Sequence, residues 1–413
     1  MAEQVTTIEE FTALITEWYN TDDRGFKTYF DASLENVKPV PDATDEELQD
    51  GLNPDHPYYD WTGKTITDLC TFFEAWYAWM PDVATGLNFI QKFSWLYYKN
   101  EYGLAFVTKG AGYEMTKQFV FLRGAYFDST ESTSKIDDWI TQLGGIDEVM
   151  KDYIIPEPTN TDTYGFASFN EFFARVLQPG ARPIASPEED SVAVAPTDSL
   201  INMIVDDLTL ETKIPVKTTY LNVMQLLNNS EYAARFDKGT AVSCILMPDT
   251  YHHYHAPVAG TVIESNENVE GQYFGISDFP GLINDDNVGY GYNYSVFEDF
   301  RRGYLIIDTT KYGLVALIPV GLNTISSVIF EDKFKNLPSG SSVAITKGER
   351  VGKFLYGGSL NILLFQEGCF PAQNIPQGQQ IGLLFEPESP AAKVRLTRVK
   401  NNRFYNRIAY LAK

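Results

Sequence analysis

Apolar residues in the first 155 positions recur at helical spacing. Phe11, Leu14, Ile15 and Trp18 fall at i, i+3, i+4 and i+7, and Thr7 with Glu10 offers a capping box ahead of them. Leu69, Phe72, Phe73, Trp76 and Met80 repeat the arrangement, and Phe89 to Tyr98 forms a third, strongly aromatic segment. Aromatic stripes at this spacing predict packed core rather than a ligand box. No acids, bases or nucleophiles group there, so residues 1–155 read as a helical supporting domain.

The character then changes. Residues 156–165 are polar and punctuated by Pro156 and Pro158, which reads as a linker. Phe166 to Leu177 predicts a short amphipathic helix stopped by Pro179-Gly180. Beyond residue 190, β-rich runs alternate with turns: Val192–Ala195, Leu200–Val205, Ala241–Met247, Gly260–Glu264, Tyr304–Asp308, Gly313–Pro319, Ser342–Thr346 and Asn361–Phe365. One helix, near Val223–Asn228, interrupts them. The expected fold is α+β: a helical N-terminal domain followed by a β-sandwich or barrel-like domain over 166–413.

Two stretches stand apart. Leu314 to Phe330 is apolar, but Pro319, Gly321 and Asn323 break it, so it predicts two buried strands rather than a bilayer span. Residues 266–300 interleave glycines with Tyr273, Phe274, Phe279, Tyr290, Tyr292, Tyr294 and Phe297, as a surface loop or a lid over a site would.

Composition narrows the partners. A formal charge of −23 argues against nucleic-acid binding and against broad docking on an anionic bilayer, leaving a local basic patch as the one route to a membrane. The N-terminus lacks the basic-then-apolar layout of a signal peptide. Cys70, Cys244 and Cys369 lie far apart with no CxxC spacing, which fits a reducing, cytoplasmic setting and carries no zinc signal. The expectation is a soluble protein without metal, for which a homodimer is a compatible assembly.

The candidate chemistry centres on Tyr356-Gly357-Gly358-Ser359-Leu360, a polar break between two apolar runs. Two adjacent glycines let the backbone bend sharply and leave the Gly358 carbonyl open to attack. Ser359 sits beside that carbonyl and needs a base to become a nucleophile. Tyr251-His252-His253-Tyr254-His255 supplies three of the four histidines in the chain. These residues point to a serine that attacks its own chain and becomes part of a cofactor. Three histidines in four positions also suit a metal half-site, and Ser359 could serve a hydrolase, although G-x-S-x-G is absent. Asp198, after Ala195-Pro196-Thr197, reads alone as a turn residue.

Four ordered segments resemble the phosphatidylserine decarboxylase family: Phe169 to Ile184, Ala195 to Asp198, Pro248 to Gly260 and Lys347 to Ser359. Leu360 stands where the family commonly has threonine, and Ser199 where it commonly has glycine. The helical N-terminal region resembles the extension of soluble relatives, which include fungal tryptophan decarboxylase. The resemblance implies that His255, oriented by Asp198, takes the proton of Ser359. Ser359 then attacks the Gly358 carbonyl, and β-elimination leaves a residue that loses ammonia to become a pyruvoyl group. That covalent cofactor would hold the substrate amine as a Schiff base while carbon dioxide leaves, with His252 returning a proton. His253 is the weaker donor candidate.

The acidic charge, the missing anchor and the 266–300 aromatics together predict a small-molecule amino-acid substrate, aromatic in preference. Phosphatidylserine, the usual substrate of the family, is the alternative. A protein that cleaves itself but only binds is the reading from another class.

Overall fold

The computed structural model describes residues 4–205, 208–210, 222–284, 299–323 and 328–369. The helical region forms as its periodicity predicts. The helix Ile8–Thr21 starts at Thr7, whose hydroxyl accepts from the Glu10 N–H at 3.2 Å, while the Glu10 carboxylate reaches past it to the Thr6 N–H. In the helix Ile66–Ala78, Leu69, Phe72, Phe73 and Trp76 are all buried. Trp76 stacks on Phe73 with the planes 6° apart and meets Phe119 at a centroid distance of 4.9 Å. These stripes are core, each buried large side chain contributing ~1.5–3 kcal/mol relative to exposure.

The polar stretch 156–165 is pinned down at both ends. The Glu157 N–H donates to the Tyr164 carbonyl, and the buried Tyr164 hydroxyl donates to Asp137 Oδ1 at 2.6 Å. The helix expected over 166–177 is only Phe169–Phe173, capped by Ser168. Past Ala174 the backbone is drawn out: Tyr153 pairs with Leu177, and the Ile154 N–H donates to the Val176 carbonyl at 2.8 Å. This pairing with the end of the helical region overrides the apolar periodicity.

Among the described residues ten strands follow: β1 (Leu200–Val205), β2 (Thr240–Leu246), β3 (His253–His255), β4 (Gly260–Val269), β5 (Arg302–Asp308), β6 (Leu314–Leu322), β7 (Val328–Phe330), β8 (Val343–Ile345), β9 (Arg350–Phe354) and β10 (Gly358–Phe365). A seven-stranded sheet runs β1-β2-β10-β6-β5-β4-β8, and a three-stranded sheet runs β3-β9-β7, every pairing antiparallel. Val192–Ala195 joins neither sheet; its Val194 N–H donates to the Pro257 carbonyl at 2.9 Å.

Alternation along β10 sets the layers. Leu360, Ile362 and Leu364 pack in one core with Trp76, Phe93 and Phe119 of the helical region. Leu363 and Phe365, on the opposite face, pack with Tyr254, Val351 and Phe354 of the small sheet. The large sheet is therefore a middle layer, with β10 near its centre. Within the small sheet the strands crowd at Gly352, where a Cβ would lie 2.1 Å from the Ile329 carbonyl oxygen on β7 and 2.5 Å from the Tyr254 hydroxyl on β3. No helix among the described residues is long and apolar enough to cross a membrane.

The 266–300 aromatics do not behave as a lid where they are described. Tyr273, Phe274 and Phe279 are buried in the core shared with the helices. Phe274 stands edge-on to Trp76 and Phe93, at 6.0 and 5.2 Å. Tyr273 lies against Tyr113 and Phe121. Large rings lose more water contact in an aromatic core than at a pocket rim, and here the core takes them. Tyr290, Tyr292, Tyr294 and Phe297 lie outside the described residues.

Candidate active site

The break before β10 is built from one unusual torsion and one anchor. Gly357 has φ 152°, a conformation that side chains rarely adopt. Tyr356 holds the turn in place: its N–H donates to Asn170 Oδ1 at 3.1 Å, and its hydroxyl donates to the Gly86 carbonyl at 2.7 Å. Its ring packs edge-on against Phe127, Phe169 and Phe173, all between 5.1 and 5.3 Å. The helical region thus fixes the residue three places before Ser359.

Ser359 is 1% exposed, and its Oγ has no hydrogen-bond partner. Its register partners are Leu246 on β2 and Gly321 on β6, so no side chain flanks it on the β6 side. A buried hydroxyl without a partner is costly and calls for an explanation outside packing. A residue that will be chemically converted supplies one, so the position fits the precursor of a covalent group.

The three histidines fall on two sides of their strand. Tyr251 stacks near both His253 (5.0 Å) and His255 (5.6 Å), whereas His252 lies against Phe173 at 3.9 Å. Side chains alternate along an extended chain, so His252 and His255, three apart, do not share a face. His253 is instead the neighbour of His255. The His252 Nδ1 meets the Thr250 carbonyl at 2.8 Å, which assigns the proton to Nδ1 and the lone pair to Nε2. The His255 Nδ1 meets the Gly348 carbonyl at 2.8 Å, and its Nε2 accepts from the Tyr251 hydroxyl at 2.9 Å. Burial lowers the His255 pKa, opposed by the Gly348 hydrogen bond and the negative charge of Asp198.

Asp198 does not hydrogen-bond to His255. The Arg182 guanidinium grips it instead, with Nε at 3.0 Å from Oδ1 and Nη2 at 2.8 Å from Oδ2, while the same arginine reaches Asp152. A planar guanidinium matches a carboxylate bidentately, which a single imidazole N–H cannot. The two motif segments nevertheless run side by side: the His255 N–H donates to the Pro196 carbonyl, and the Thr197 hydroxyl donates to the Tyr251 carbonyl. Nothing in the sequence alone marks Arg182 or Asn170, which lie within the Phe169–Ile184 segment, and Tyr251 stands out there only as the start of the histidine run. Among the described residues no group of three or more His, Cys, Asp or Glu could hold a metal ion.

His253 is the structural histidine. Its Nε2–H donates to the Ala174 carbonyl at 2.7 Å, and burial pushes its pKa down to about 4 from the usual 6.5. The unfolded chain therefore binds a proton that the folded one refuses between these values. The stability is fully present above pH 6.5 and is lost as pH falls towards 4. We expect the folded state to lose about 2 kcal/mol through this group between pH 7 and pH 5. His253→Gln keeps an N–H for Ala174 and should lose correspondingly less, as read from denaturant midpoints at the two pH values. Equal losses in both proteins would remove His253 as the source.

Comparison with known proteins places these residues in context. The model of the family described as phosphatidylserine decarboxylase matches residues 169–383, just over half of the chain. A rice protein named phosphatidylserine decarboxylase proenzyme 2 is 28% identical over 270 residues, covering 65% of this chain and 39% of the relative. The phosphatidylserine decarboxylase proenzyme of Fusobacterium nucleatum is 30% identical over 244 residues, covering 59% of this chain and 72% of the relative. That of Chlamydia trachomatis serovar D is 31% identical over 218 residues, 53% and 66%.

Proposed function

This chain belongs to the phosphatidylserine decarboxylase family, and from that premise we propose that it cleaves itself between Gly358 and Ser359 and decarboxylates the serine headgroup of phosphatidylserine. The observation that carries the proposal is the buried, unpartnered Ser359 hydroxyl at the start of β10, directly after the Gly357 turn. The pyruvoyl group made from Ser359 would supply an electron-withdrawing carbonyl for the loss of carbon dioxide. The chain's own residues do the rest. Asp198 and His255 serve cleavage: the carboxylate favours the charged imidazole, and Nε2 takes the serine proton once the Tyr251 hydroxyl gives way. His252, once protonated at Nε2, returns that proton to the product, its ring held by the Thr250 carbonyl and Phe173.

Two observations favour the phospholipid over a free aromatic amino acid. The matched relatives carry phosphatidylserine decarboxylase names. Of the rings expected to line an aromatic pocket, Tyr273, Phe274 and Phe279 are spent on core packing. The sequence also carries a basic segment within an acidic protein. Residues Lys393 to Lys413 carry seven Lys or Arg and no Asp or Glu, a charge suited to an anionic lipid surface.

Steady-state rates on dispersed phosphatidylserine, free serine, tryptophan and phenylalanine test the substrate. The lipid is expected to have a kcat/KM at least ~10-fold above any of the amino acids, a difference of about 1.4 kcal/mol in transition-state binding. Turnover of tryptophan with none of the lipid would reverse the choice while leaving the cofactor chemistry in place.

A further inference from the structure

Asn361 lies two residues beyond Ser359 on β10. Strand alternation puts both on the face that Leu363 and Phe365 present to the small sheet. Asn361 is 0% exposed, and neither its Oδ1 nor its Nδ2 has a hydrogen-bond partner. Its neighbours across the sheet are Cys244 and Pro319. The Cys244 thiol is engaged with the Ser199 side chain, and proline offers no polar side chain. An amide buried with all its hydrogen-bonding capacity unmet opposes folding, whereas a leucine has the same branched shape, with somewhat larger methyl groups, and carries no such cost. Packing therefore gives no reason for asparagine here.

We propose that Asn361 is a substrate contact, its carboxamide holding the amino-acid moiety of the substrate beside residue 359. This rests on the function proposed above. Residues i and i+2 of a strand are ~6.7 Å apart, about the span from an amine at position 359 to a hydrogen bond on its α-carboxylate. Nδ2–H donates to a carboxylate oxygen, and Oδ1 accepts from the arriving amine. A neutral amide orients the carboxylate without the strong ground-state attraction of an arginine, which would oppose the departure of carbon dioxide. Gly321, opposite Ser359, leaves that flank without a side chain.

The test is Asn361→Leu, with Asn361→Ser as a smaller polar variant should the leucine fail to fold. Both are expected to cleave into two chains like wild type. The leucine variant should unfold at an equal or higher temperature and show a KM for dispersed phosphatidylserine raised roughly tenfold or more. The serine variant should fall between the two. Wild-type KM and kcat in either cleaved variant would overturn the proposal, as would loss of cleavage in both, which would assign Asn361 to processing. A wild-type protein that turns over tryptophan and not the lipid overturns the substrate reading alone. The variants are then read on tryptophan with the same expectation.

Discussion

Ser359→Ala is expected to stay one chain and to release no carbon dioxide from any amine, the largest effect of any single change. The nucleophilic oxygen and the atoms that become the cofactor are both removed, so no residual route remains. Folding should not suffer. The Ser359 side chain is 1% exposed and its Oγ bonds to nothing, so alanine removes a buried polar group without orphaning a partner. The β10 pairing with Leu246 and Gly321 runs through the backbone and is retained. Calorimetry should give an unfolding temperature equal to wild type or above it. A Ser359→Ala protein that still splits at position 358 would place the nucleophile elsewhere.

His255→Ala and His252→Ala are expected to fail at different steps. Without His255 there is no imidazole beside Asp198 to take the serine proton, and cleavage should slow by ~10²–10⁴-fold, the usual worth of a general base. His255 also ties Gly348 and Tyr251 together, so the variant should lose some stability as well. His252→Ala should mature normally and then turn over ~10²–10⁴-fold more slowly, because only the proton donor is gone. Gel analysis over time separates cleavage from turnover. A His252→Ala protein that stays whole beside a His255→Ala protein that matures would exchange the two roles. The two rings have different neighbours, Phe173 for His252 and Tyr251 for His255, so each change disturbs its own surroundings.

The elements visible in the sequence were those governed by local periodicity. Phe11, Ile15 and Trp18 face the core as their spacing predicts, and β1 spans Leu200–Val205 as expected. Leu314 to Phe330 does divide into two strands, β6 and β7. What escaped depends on distant partners. The helix after Phe166 is cut short by Tyr153 pairing with Leu177, and nothing in residues 166–177 announces that partner. Ser359 and the histidines were legible because glycine pairs and histidine clusters are rare and chemically loaded. The grip of Arg182 on Asp198 was not, since the two lie sixteen positions apart and only the fold brings them together. Asn361 was equally hidden. In the sequence it is one polar residue in an apolar strand, and only its unmet hydrogen bonds give it meaning.

Intact mass with N-terminal sequencing of the purified protein shows whether Ser359 breaks its own chain. Two polypeptides are expected. The larger ends at Gly358, and the smaller begins at position 359 and resists Edman degradation because a pyruvoyl group blocks it. A single 46.6 kDa chain with a free N-terminus, unchanged after long incubation at neutral pH, would contradict it.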